Sequence, residues 1–176
     1  MRSQRSVLVL LVLLVSACTG AGRAKGPKKM EDKLAPTIQE IADRLTDANA
    51  SVSTLAQTLG SIEQKYTGSG YYLTPNDPRF KSVWVGIKVV GQGREDVTDV
   101  TLEMTELARV PVVELDTVFG AHEPVPANPS GRPHNIEYSF DKADKPYTAS
   151  IYATLNSPAD VPGAQAEKIS IRRDKR

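Results

Sequence analysis

Few residues in this chain of 176 combine the types and spacing that chemistry requires. The only cysteine is Cys18, which has no internal partner for a disulfide. The two histidines, His122 and His134, bracket a Pro-rich stretch and with Glu123 could offer metal ligands, but their spacing matches no compact metal motif. Glu95, Asp96 and Asp99 lack the periodic oxygen ligands and acidic endpoint of a calcium loop. A Ser-His-Asp hydrolase would have to draw on the same two histidines, and no GxSxG element is present. Gly91-Gln92-Gly93 is too short for a phosphate loop and lacks the strand-to-helix context. The reading is therefore non-catalytic, with no metal and no cofactor. The remaining material for recognition is aromatic: Trp84, the single tryptophan, with Tyr71, Tyr72 and Tyr152.

The segment around Cys18 has its own logic. Arg2 and Arg5 precede nine uninterrupted aliphatic residues, Val7 to Val15, and then the small pair Ser16 and Ala17. This is the three-part layout of an export signal. The apolar run is under half of the roughly 20 residues that a membrane-crossing helix needs. Val15-Ser16-Ala17-Cys18 resembles the lipobox of bacterial lipoproteins. The resemblance covers only the first 18 residues. It implies that the Cys18 thiol takes a diacylglyceryl group and that residues 1–17 are removed, leaving residues 18–30 as a lipidated tether. Two or more acyl chains suffice for stable attachment. Thr19, standing where an Asp would favour inner-membrane retention, implies the outer membrane and a periplasm-facing protein, or the cell membrane of a Gram-positive organism.

Removing residues 1–17 changes 22 basic and 21 acidic residues to 20 and 21, a formal charge of −1. A near-neutral exported chain is a poor nucleic-acid ligand, so no nucleic-acid partner is expected.

Between residues 31 and 66, Leu34, Ile38, Ile41, Leu45, Ala48, Val52, Leu55, Leu59, Ile62 and Tyr66 recur alternately four and three apart. That spacing predicts one long amphipathic helix with a heptad seam. The seam would serve either parallel self-association, making a homo-oligomeric stalk, or packing along the domain that follows.

From Tyr71 the period changes to two. Ser82–Val90, residues 100–104, Pro111–Phe119, His134–Asp141, Tyr147–Leu155 and a short segment with Ile169 and Ile171 alternate apolar and polar residues. Residues 71–176 are thus predicted to be an antiparallel β domain. The fold class expected is α+β: a long helix followed by a sandwich of immunoglobulin-like architecture. A small barrel, or a single sheet covered by the helix, is the alternative. Trp84 lies opposite the Val83, Val85 and Ile87 row, either exposed for binding or covered by the helix, and Gly86 beside it favours coverage. The basic end RRDKR reads as a solvated tail.

Three functional classes follow. The leading one is an anchored envelope protein acting as scaffold, assembly or accessory subunit through a protein partner. The second is a small-ligand or glycan-binding module using Tyr71, Tyr72, Trp84 and Tyr152, and the third, disfavoured, is a hydrolase.

Overall fold

The structure, a computed structural model, describes residues 33–66, 68–126 and 134–176. The signal, lipobox and tether readings fall on residues 1–30, outside the described residues. Two helices come first, α1 (Leu34–Leu45) and α2 (Val52–Leu59), and then strands β1 (Gly60–Tyr66), β2 (Gly70–Pro75), β3 (Phe80–Val90) and β4 (Arg94–Met104). A two-residue strand β5 (Val110–Pro111) leads into helix α3 (Val112–Phe119). Strands β6 (Glu123–Pro124), β7 (His134–Phe140), β8 (Tyr147–Leu155) and β9 (Gln165–Lys175) complete the chain.

The nine strands belong to one open sheet in the order β1-β2-β3-β4-β9-β8-β7-β6, with β5 on β9. All neighbours are antiparallel. Successive hairpins lay down the first four strands, and the last strand returns to pair with β4 in the middle of the sheet. The expected immunoglobulin-like sandwich is therefore not formed. Alternation shows that each strand buries one face, but it is silent on what does the burying. Here helices supply the cover. Val83, Val85 and Ile87 of β3, Val100 and Leu102 of β4, and Ile169 and Ile171 of β9 join Ile38, Ile41, Leu45, Leu55 and Leu115 in one hydrophobic cluster.

The long helix and its coiled coil are likewise corrected. Thr46 ends α1, its hydroxyl donating to the Ala42 and Asp43 carbonyls at 3.0 and 3.1 Å. A second helix then starts afresh at Ser51, whose hydroxyl accepts the Thr54 N–H at 3.2 Å while the Thr54 hydroxyl accepts the Ser51 N–H at 3.0 Å. This reciprocal cap satisfies two amide donors that a helix start leaves orphaned. At Gly60, φ is +150°, and a Cβ there would lie 2.0 Å from the Thr74 carbonyl oxygen. The chain turns from helix to strand at that residue, and Ile62 and Tyr66 leave the seam for an edge strand. Of the seam, Leu34, Ile38, Ile41, Leu45, Leu55 and Leu59 are buried in the domain core, Val52 packs partly against it, and Ala48 and Ile62 are exposed.

The segment Pro111–Phe119, expected as a strand, is the helix α3 from Val112 onward. Pro111, with its fixed φ and no N–H to lose, stands at the N-cap and Gly120 at the C-cap with φ +87°. The helix buries Val112 and Leu115 and leaves Val113 72% exposed, which is helical rather than alternating burial. It docks on α1, where Glu114 Oε1 accepts the Ala35 N–H at 2.9 Å.

The basic end is structured, not a free tail. Arg173, on β9, stacks its guanidinium 3.5 Å from the Tyr147 ring centroid and donates to the Asp47 carbonyl at 2.8 Å and to the Val97 carbonyl at 3.4 Å. The turn between α1 and α2 is thereby tied to the sheet.

Candidate functional site

With the helices α1, α2 and α3 on one face, the other face of the sheet carries none of them, and alternation dictates what it presents. One register row crosses it: Tyr72 pairs with Trp84, Trp84 with Thr101, Thr101 with Ser170, Ser170 with Tyr152, and Tyr152 with Glu137. Aromatic residues thus stand at both ends of a short floor of hydroxyls, where Thr101 and Ser170 share a hydrogen bond of 3.1 Å.

Trp84 is half-buried and faces away from the helices, so its cover comes from its own sheet. Its ring centroid lies 4.8 Å from that of Tyr72 and 5.9 Å from that of Tyr66, and Tyr66 and Tyr72 meet edge to face at 5.5 Å. Gly70 makes the arrangement possible: a Cβ there would come within 2.5 Å of the indole Cζ2. Gly86, expected to admit a covering element, instead makes room for the Asp99 carboxylate. Tyr72 and Tyr66 are each 41% exposed, so the cluster presents apolar ring surface to solvent.

The other aromatic candidates separate. Tyr152 lies three strands away on the same face, with the Arg172 guanidinium 5.5 Å over its ring. Tyr71 points to the opposite face and is buried. Its hydroxyl donates to Glu95 Oε2 at 2.6 Å, and Glu95 Oε1 accepts from Lys65 Nζ at 2.7 Å. The Lys65 ammonium holds the Glu95 carboxyl below its ordinary range, with the Tyr71 hydroxyl assisting. That trio fastens β1 and β2 to the β3–β4 hairpin. Tyr66 was not among the expected recognition residues, because the seam had placed it on a helix.

Beside Trp84 and Tyr72 lies a groove of about 760 Å³, floored by β3, β4 and β9 and lined also by the connection from Thr105 to Arg109. Two ion pairs lie in it. Lys81 Nζ meets Glu103 Oε1 at 2.8 Å, the Ser82 hydroxyl donates to Glu103 Oε2 at 3.1 Å, and Arg109 meets Glu167 at 3.5 Å. The Lys81 ammonium keeps the Glu103 carboxyl below its ordinary range, helped by Ser82 and by Lys168.

The register of β6 on β7 sets the two histidines apart: Glu123 faces Glu137, so His122 lies by Tyr138, four residues along β7 from His134. His122 follows α3 and places Nδ1 2.8 Å from Asp116 Oδ1, which also accepts the Tyr138 hydroxyl at 3.0 Å. Burial and the Asp116 carboxylate push the Tyr138 phenol well above its ordinary range, so it stays a donor. A cavity of about 260 Å³ adjoins this cluster, and no Ser, Thr or Cys is among the described residues that line it. His134 starts β7 and is exposed. Among the described residues, no group of three or more His, Cys, Asp or Glu is placed to hold a metal ion.

No protein-family model matches the chain, and no curated protein or solved structure matches it either.

Proposed function

We propose that this chain is a lipid-anchored protein of the bacterial envelope that works without catalysis, as a binding or accessory subunit whose contacts are made by the helix-free face of its sheet. One observation carries the reading. The helices α1, α2 and α3 protect one face of the sheet only, and the other face concentrates Tyr66, Tyr72 and Trp84 beside a built groove. Exposed aromatic clusters of this kind mark sites of recognition more than of chemistry. Among the described residues no helix is long and apolar enough to cross a membrane. The lipobox-like Val15-Ser16-Ala17-Cys18 supports the lipid anchor, and Thr19 supports the outer membrane as its address.

Metabolic labelling with an alkyne fatty acid tests the anchor. The wild-type chain should be labelled and sediment with outer membranes, and Cys18→Ala should be unlabelled and absent from them. A wild-type chain that carries no fatty acid, or that floats free of membranes, sinks the proposal.

A further inference from the structure

The groove beside Trp84 specifies the chemistry of what fills it, and we infer that it binds an uncharged oligosaccharide. The inference rests on the anchored-binding reading above and names its ligand. First comes charge. Lys81, Arg109 and Lys168 bring three cations to the lining and Glu103, Glu106 and Glu167 three carboxylates, so the sum is zero. Two of the cations are already in ion pairs with two of those carboxylates. The net charge of the lining therefore favours neither an anionic nor a cationic ligand.

Polarity argues next. The desolvated centre of a protein-docking site is depleted in charged residues, whereas this groove is dense in them. Charged and hydroxyl side chains are good partners for neutral hydroxyls, since a hydrogen bond with one ionised member is stronger than one between neutral groups. Thr101, Thr154 and Ser82 add hydroxyls that both donate and accept.

Shape completes the match. A sugar ring has an apolar C–H face and a polar rim. Trp84 and Tyr72 offer ring surface at the margin of the groove, and the polar floor continues from it. Packing against Tyr72 and Tyr66 and the seat over Gly70 hold the indole in place before anything binds, which lowers the ordering cost of stacking. A volume of about 760 Å³ falls within the range of ordinary ligand sites, roughly 300–1,000 Å³.

The test uses the full-length lipidated chain in micelles of a non-glycosidic detergent. Trp84, as the only tryptophan, is the fluorescent reporter. Cellotetraose, chitotetraose and maltotetraose are titrated as neutral sugars and tetragalacturonic acid as an anionic one. At least one neutral sugar should give a saturable change that tetragalacturonic acid does not. By calorimetry, Trp84→Ala should weaken that binding about tenfold or more, a loss of some 1.4 kcal/mol. Lys168→Ala, at an exposed position, should weaken it in the same direction. Preference for the anionic sugar, or saturable binding by none of the four, overturns the glycan assignment while fatty-acid labelling of Cys18 still stands. Binding that survives both substitutions overturns the placement in this groove.

Discussion

At Arg173 the helical layer and the sheet meet through one guanidinium. Its stacking on Tyr147 and its bonds to the carbonyls of Asp47 and Val97 need a planar head with several donors. A lysine ammonium cannot stack and reach both carbonyls. Arg173→Lys should therefore lose about 1–3 kcal/mol of stability, close to the loss for Arg173→Ala, read from the urea midpoint. Asp77 makes a second junction of this kind. Its carboxylate accepts the Arg79 backbone N–H at 2.9 Å and a guanidinium N–H at 2.7 Å, and the same guanidinium donates to Thr37 of α1 at 3.3 Å. These bonds from Arg79 hold the Asp77 carboxyl below the usual carboxylate range. A carboxyl whose folded value is lower than its unfolded one stabilises the fold above the unfolded value, about 3.9 for Asp, and that contribution fades as pH falls through the folded value. Asp77→Asn should thus be less stable than wild type at pH 7. The gap should shrink below about pH 4, and equilibrium urea unfolding at the two pH values checks the sign.

The heptad segment shows why elements were only partly legible. The spacing from Leu34 to Leu45 and from Val52 to Leu59 reports true helical burial. Between them Ala48 happens to keep the period, while Thr46, Asp47, Asn49 and Ser51 are cap and turn formers that favour local bonds over helix continuation. Gly60 carried the second break. After it, Ile62 and Tyr66 still fit the seam by number although the backbone is extended. In α3 the alternation of Val113, Leu115 and Phe119 with Glu114 and Asp116 suggested a strand, yet Pro111 and Gly120 are the start and stop of a short helix. The hairpin strands β3, β4, β7, β8 and β9 were readable because half-burial imposes a period of two on each. The aromatic site was readable in its members Trp84 and Tyr72 but not in its grouping, which is a product of strand register. Substitution separates true seam from coincidence. Ile38→Ala and Leu55→Ala, at buried positions, should each cost about 2–5 kcal/mol. Ile62→Ala and Ala48→Ser should stay within about 0.5 kcal/mol. A coiled coil would make Ile62 cost as much as Ile38, and a concentration-dependent melting temperature would accompany it.

For the molecule as a whole, the decisive fact is that two of the three helices covering the sheet, α1 and α2, precede it in sequence. Residues 33–176 lie within one compact unit that spans Asp32 to Arg176. A fragment beginning at Tyr71 would keep β2 to β9 but discard α1, α2 and β1. With them go Leu34, Ile38, Ile41, Leu45, Leu55 and Leu59, all buried against the strands. At about 2–5 kcal/mol for each large side chain removed from a core, the six together lose about 12–30 kcal/mol, as much as or more than the roughly 5–15 kcal/mol by which a domain is stable. Val83, Val85, Val100 and Ile171 would then face water on a sheet whose other side is already exposed. The two truncations should behave differently in one experiment. Residues 33–176 should unfold in urea in a single cooperative step and stay dispersed, whereas residues 71–176 should show no cooperative step, bind a hydrophobic dye and aggregate. If the helical segment were instead a separable stalk, the shorter fragment would remain a folded monomer, and a sharp melting transition from residues 71–176 alone would establish that.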